Sequence, residues 1–210
     1  MIHKNMNINE IISPKGVNYQ VKNQESYSRL LAIIRALFNG IYIFVPYFLA
    51  LIGKGIVFFV YSIINFFVVL TTGKIPSEHQ QRVKEMLMFN LGFELSMVGM
   101  TDEYPAFNGL NNKFMTLEFE ERKSMTAGEL LIKTFLGSVL LIPHSFLYLF
   151  NALWVVILAF ISFFLVLFTG KIPQTWFNFV IGYQRRYVKM HLWKHGIIEK
   201  YPTFDKYIGV

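Results

Sequence analysis

The sequence predicts an all-α integral membrane protein made of two repeated units, each a transmembrane helical hairpin followed by an amphipathic interfacial helix. Three observations lead there: long stretches without charged side chains, an internal repeat, and a one-sided distribution of Lys and Arg. Apolar residues make up 54% of the 210-residue chain and charged residues only 16%, against about 25% charged in an average soluble domain. Aromatic residues reach 17%, which excludes a disordered chain. Cys is absent, so disulfide scaffolds, thiolate metal centres and cysteine nucleophiles are excluded as well.

The first 28 residues are polar, with Pro14 and Gly16, and lack the apolar run of a signal peptide. Insertion is therefore expected through the first hairpin. Residues 36–53 and 55–73 carry no Asp, Glu, Lys or Arg and flank the tripeptide Gly53-Lys54-Gly55, which suits a tight tip. Residues 134–170 form an uncharged stretch of 37, nearly twice the roughly 20 residues that one crossing needs. Two crossings with a turn near Asn151 are expected there. The sum is four membrane helices in two hairpins. A soluble domain of this length lacks the second-layer structure to cover four helices that are apolar all round.

The repeat is plain in the polar segments. Thr72-Gly73-Lys74-Ile75-Pro76 recurs as Thr169-Gly170-Lys171-Ile172-Pro173, and Tyr104-Pro105-x-Phe107 recurs as Tyr201-Pro202-x-Phe204, both at an offset of 97. The same offset maps Phe38 onto Phe135, Gly40 onto Gly137 and Pro46 onto Pro143. The expected organisation is a polar N-terminal tail (1–28), a first hairpin unit (29–107), a polar linker (108–125), a second hairpin unit (126–204) and a C-terminal tail (205–210). Gly73 and Gly170 suit helix C-caps, and Pro76 and Pro173 the first position of the next helix. Pro46 and Pro143 should kink the helices that contain them, and Arg35 and Lys133 should snorkel from the helix starts. Of the 20 Lys and Arg, only Lys54 would lie at a hairpin tip, so the positive-inside rule places both termini in the cytoplasm.

Function is less legible. Trp176, Val180, Tyr183, Tyr187 and Met190 share one helical arc, with Arg185 and Lys189 opposite, as on a helix lying at a membrane surface. Residues 171–210 carry net +5. Lys171, Arg185, Arg186, Lys189 and Lys194 are therefore candidates for contact with anionic headgroups or a protein partner; the plainer alternative is that Arg185, Arg186 and Lys189 only fix topology or pair with the chain's own acidic Glu118, Glu120 and Glu121. His144, inside the uncharged stretch, is a candidate intramembrane polar site. His191, His195 and Glu199 have the spacing of a one-faced ligand set, but the intervening residues lack a general base and include Lys194. No catalytic, metal or cofactor-binding residue is assigned. Neither a basic run nor a fold motif supports nucleic-acid binding.

Ile142-Pro143-His144, Phe168-Thr169-Gly170-Lys171-Ile172-Pro173 and Glu199-Lys200-Tyr201-Pro202-x-Phe204 together resemble bacterial membrane domain-of-unknown-function family number 4389. The second unit fits its pattern, and the first resembles a diverged copy with Tyr47 in place of His. The resemblance implies a bacterial inner-membrane protein and no particular activity. The expected function is that of a non-catalytic accessory or scaffolding subunit of a larger inner-membrane complex, with lipids and other membrane subunits as partners. The alternative is a small transporter, channel or lipid-handling protein built around His144, Asn65 and Asn151.

Overall fold

In the computed structural model, residues 16–110 and 112–203 are described; residues 1–15 of the N-terminal tail, Phe204 of the second Tyr-Pro-x-Phe and the C-terminal tail 205–210 lie outside them. The chain is mostly helical. Strand β1 (Val17–Val21) leads into α1 (Arg29–Asn39), a π-helical turn (Gly40–Phe44), α2 (Val45–Thr72) and α3 (Ser77–Met97). The second half repeats this order with β2 (Met115–Phe119), α4 (Ala127–Leu131), a π-helical turn (Ile132–Leu136), α5 (Gly137–Leu140), α6 (Ile142–Thr169) and α7 (Gln174–Lys194). Helices α2 and α6 have 28 residues each and α3 and α7 have 21 each, with bounds 97 positions apart.

Two helices, Ile41–Thr72 and Ile142–Thr169, are long and apolar enough to cross a membrane. These two continuous helices stand where four shorter ones were expected. Gly53-Lys54-Gly55 and Asn151, placed at hairpin tips by the sequence, lie inside α2 and α6. Glycine permits a reversal without forcing one, and costs only about 1 kcal/mol in a helix interior. Here α3 packs alongside the stretch: the Lys54 ammonium sits 5.3 Å from the Phe89 ring centroid, and Tyr47 stacks on Phe89 and Phe93. The 37-residue uncharged stretch is divided near Leu141 among the second π-helical turn, α5 and α6, so its length reflects a bent helical path without a reversal at Asn151.

Four packed rods result. Helix α1 runs antiparallel to the C-terminal part of α6, where Arg29 reaches the Phe168 carbonyl, and the C-terminal part of α2 meets the second π-helical turn through Phe66 and Phe135. On their other side α2 packs on α3 and α6 on α7, while α3 and α7 meet through Gln184 and Glu94. The antiparallel β1–β2 pair, centred on Tyr19 opposite Leu117, packs against α3 and α7. Each half also clasps the other at its loops. The Gly170 carbonyl accepts the Tyr27 N–H, and the Gly73 carbonyl accepts the Met125 N–H. Gly73 and Gly170 cap α2 and α6 at φ +66° and +70°, as the sequence suggests. Pro76 and Pro173 occupy the N-cap itself, one residue earlier than expected.

Helix α7 is not a surface helix. Its stripe of Val180, Tyr183 and Met190 is buried, Tyr183 stacking on Tyr148 of α6, and Gln184 on another side of the helix is fully buried. The amphipathic pattern of α7 is explained by packing on α6, and the layer with its apolar face outward is instead α2 and α6. Their outer arcs (Phe48, Leu49, Ile52, Ile56, Phe59, Ile63 and Phe67 on α2; Phe146, Phe150, Leu153, Trp154, Ile157 and Phe160 on α6) are exposed and carry no charged group. Tyr47, Lys54, Tyr61, Ser62 and Asn65 of α2, and His144, Tyr148, Asn151 and Ser162 of α6, all face inward. The polarity of a soluble helix is reversed.

Candidate functional site

Each long helix has a proline near its start, and the missing N–H frees a carbonyl about one turn earlier. The Tyr-Pro motifs supply donors there: the Tyr104 hydroxyl donates to the Tyr42 carbonyl, four residues before Pro46, and the Tyr201 hydroxyl to the Leu140 carbonyl, three residues before Pro143. These motifs, read separately in the sequence, form one device. His144, at the start of α6, is fully buried against Tyr201, with ring centroids 5.2 Å apart. Its counterpart Tyr47 donates to Asn90 at 2.8 Å.

Arg35 and Lys133 do not snorkel. Both are buried and turned inward, where they cap the segments that follow α3 and α7. Arg35 donates to the carbonyls of Thr101 and Glu103, and Lys133 to the carbonyl of Ile198 at 2.8 Å. The carbonyls just beyond α3 and α7 accept their hydrogen bonds instead. The two residues are 98 positions apart, as are the starts of α1 and α4; the first half has one extra residue before Pro46, which an ungapped offset of 97 conceals.

Around these cations lie two matched cavities of about 380 Å³. The first sits between α1 and α6, lined by Arg35, Asn39, Asp102, Ser162, Phe160 and Phe163 among others. The second sits between α2 and the second π-helical turn, with Lys133, Asn65, Ser62, Phe66 and His195. In the second, Glu129 neutralises the cation: it lies 2.6 Å from Lys133 and takes both Arg122 guanidinium nitrogens at 2.6 Å. Burial alone would raise the Glu129 carboxyl, but these bonds outweigh it and hold the group below its usual range. In the first, the position of Glu129 is taken by Leu31. Among the described residues no carboxylate comes within ion-pairing distance of Arg35.

The other candidates are placed as follows. Lys171 is exposed in the loop before α7, whereas Arg185, Arg186, Lys189 and Lys194 are half-buried. Arg185 donates to the Tyr19 carbonyl at 3.3 Å, and Lys194 lines the second cavity. His191 and His195 are brought to a third histidine, His79 of α3, with His79–His195 and His191–His195 centroids 6.1 and 6.3 Å apart. Burial pushes His79 and His191 down to about 4 and His195 to about 3, so all three rings are neutral near pH 7. Glu199, the third member of the sequence pattern, is exposed. No group of three His, Asp or Glu among the described residues is arranged to hold a metal ion. Sequence reading missed the cavities because their walls come from opposite halves. Aligning the halves with a one-residue gap would have paired Arg35 with Lys133 and exposed the Glu129/Leu31 difference.

No family model, curated protein or solved structure matches this chain.

Proposed function

We propose that this chain is a tandemly duplicated, non-catalytic protein embedded in a bacterial inner membrane, serving as an accessory or scaffolding subunit of a larger complex. The observation that carries the membrane reading is the reversed polarity of α2 and α6: apolar outward, with every polar side chain of their middles turned inward. Such an outer face is stable against acyl chains and unstable against water. We further infer an in-plane seating rather than two hairpins. Ile41–Thr72 has 32 residues, about 48 Å at 1.5 Å per residue, against a hydrocarbon thickness of about 30 Å. Upright helices would also carry α3, with Glu78, Arg82, Lys84 and Glu85, into hydrocarbon; each charge there costs at least roughly 2.5–3.5 kcal/mol. Lying flat, the outer arcs enter one leaflet while α3, α7 and the strands stay on the headgroup side. The excess of Lys and Arg supports a cytoplasmic position for that side, facing the anionic leaflet.

The chain has no native Cys, so single cysteines test the seating directly. Cysteines at Leu49 and Val156 should be quenched by lipid-phase probes and resist aqueous thiol reagents, while one at Lys84 should react from the cytoplasmic side. Aqueous labelling at Leu49 or Val156 from the opposite side of the membrane would refute the in-plane arrangement. The accessory role is tested separately, by mild-detergent purification of the tagged protein and mass spectrometry of what accompanies it. Recovery as a lone monomer or homodimer would reject it. One observation favours the alternative of a lipid-handling protein: the paired cavities bordering the apolar layer.

A further inference from the structure

We propose that the cavity between α1 and α6 binds the headgroup of a phosphate-bearing membrane amphiphile, with the phosphate on Arg35. The proposal rests on the membrane-embedded reading and deepens its lipid-handling alternative. Arg35 is only 7% exposed, and its Nε has no hydrogen-bond partner. Two of its nitrogens hold backbone carbonyls, which offset no charge. Asp102 is close enough to favour the charge but makes no ion pair with it, and a buried guanidinium without a directly paired carboxylate is costly unless an anion completes it; its planar donors match phosphate oxygens. Ser162 Oγ, 2% exposed and unpartnered, lines the same cavity and supplies a further donor. The related site in the other half shows what a self-sufficient arrangement looks like, since there Glu129 supplies the anion.

Two acceptors refine the ligand. Asn39 Oδ1 is buried and unpartnered, and Asp102, whose Oδ2 accepts the Ser28 N–H at 2.7 Å, lines the cavity as well. They oppose a bare anion and suit a headgroup with a donor beyond its phosphate, an ammonium or a hydroxyl. Phe160, exposed on the outer arc, and Phe163 continue the cavity into the apolar layer, where acyl chains would lie. A volume of about 380 Å³ falls within the range of small-molecule sites.

The test is native mass spectrometry of the full chain released from nanodiscs, beside equilibrium exchange of labelled lipid. Nanodiscs contain phosphatidylcholine alone or with phosphatidylethanolamine or phosphatidylglycerol, and a separate arm offers inorganic phosphate. The wild type should retain one lipid of the ethanolamine or glycerol class at least tenfold more strongly than phosphatidylcholine. Arg35→Gln should abolish that preference. Leu31→Glu should also abolish it while the protein stays folded and membrane-bound, because it installs internally the anion that Glu129 provides to Lys133. That variant keeps the proposal testable if Arg35→Gln fails to fold. Binding of inorganic phosphate with no lipid preference would overturn the amphiphile assignment. Equal lipid retention by the wild type and Leu31→Glu would overturn the site itself. Failure of the wild type to enter nanodiscs would instead refute the membrane-embedded reading.

Discussion

Replacing Glu129 with Gln removes the carboxylate that ion-pairs with both Arg122 and Lys133 while preserving shape. Three contacts of 2.6 Å converge on this carboxylate, two from Arg122 and one from Lys133. The Lys133 side chain is 4% exposed, whereas those of Glu129 and Arg122 are 22% and 18% exposed. Breaking a fully buried pair costs about 3–5 kcal/mol, and a surface pair is worth about 0–1 kcal/mol. Because Lys133 would be left buried while its partners are partly wet, the expected loss is about 3 kcal/mol. Equilibrium unfolding in detergent measures it, with Trp193 fluorescence as a local probe, since Lys133 Nζ lies 5.2 Å from that ring. A loss under about 1 kcal/mol would show the cluster to be an ordinary surface network and refute the reasoning. Adding Lys133→Met to Glu129→Gln should recover much of the loss, because the unpaired charge is then gone. The pH dependence follows the same logic. The folded Glu129 carboxyl lies below its unfolded value, so its contribution is present above the unfolded pKa and is lost as pH falls through the folded one.

The histidine cluster has an acid response of its own. With folded values of about 4, 4 and 3 for His79, His191 and His195, against about 6.5 when unfolded, stability is full above pH 6.5 and declines toward pH 4 as the unfolded state takes up protons. His195→Leu should flatten the stability profile in that window, and an unchanged slope would discount the burial of the ring. Tyr104→Phe leaves the Tyr42 carbonyl, freed by Pro46, without its donor; a loss of about 1 kcal/mol is expected on unfolding, and no loss would mean that the carbonyl finds another partner. At Gly109, a Cβ would lie 2.2 Å from the Glu85 carbonyl oxygen, with φ at +79°. Gly109→Ala should therefore cost about 3 kcal/mol or more, measurable by thermal unfolding, and a neutral effect would show that the loop shifts freely.

Sequence by itself determined what is written in residue type and local spacing. The matched Thr-Gly-Lys-Ile-Pro segments gave the boundaries between α2 and α3 and between α6 and α7, because an αL glycine and a following proline dictate local backbone with little help from elsewhere. The apolar runs marked helical stretches, read as four helices where the structure has two long ones. Whether those runs turn back or continue depended on neighbours, and only packing of α3 along α2 showed Gly53-Lys54-Gly55 to be helical. The stripe on α7 was a true amphipathic signal, but periodicity states that a face is apolar and does not say whether lipid or Tyr148 covers it. Arg35 and Lys133 carry the same lesson: near the start of an apolar run each reads as a snorkelling cation, and only the carbonyls of Thr101, Glu103 and Ile198, brought from more than 60 residues away, turn them inward. The cavities exist only once the two halves clasp, because long-range contacts between them place walls that no single segment contains.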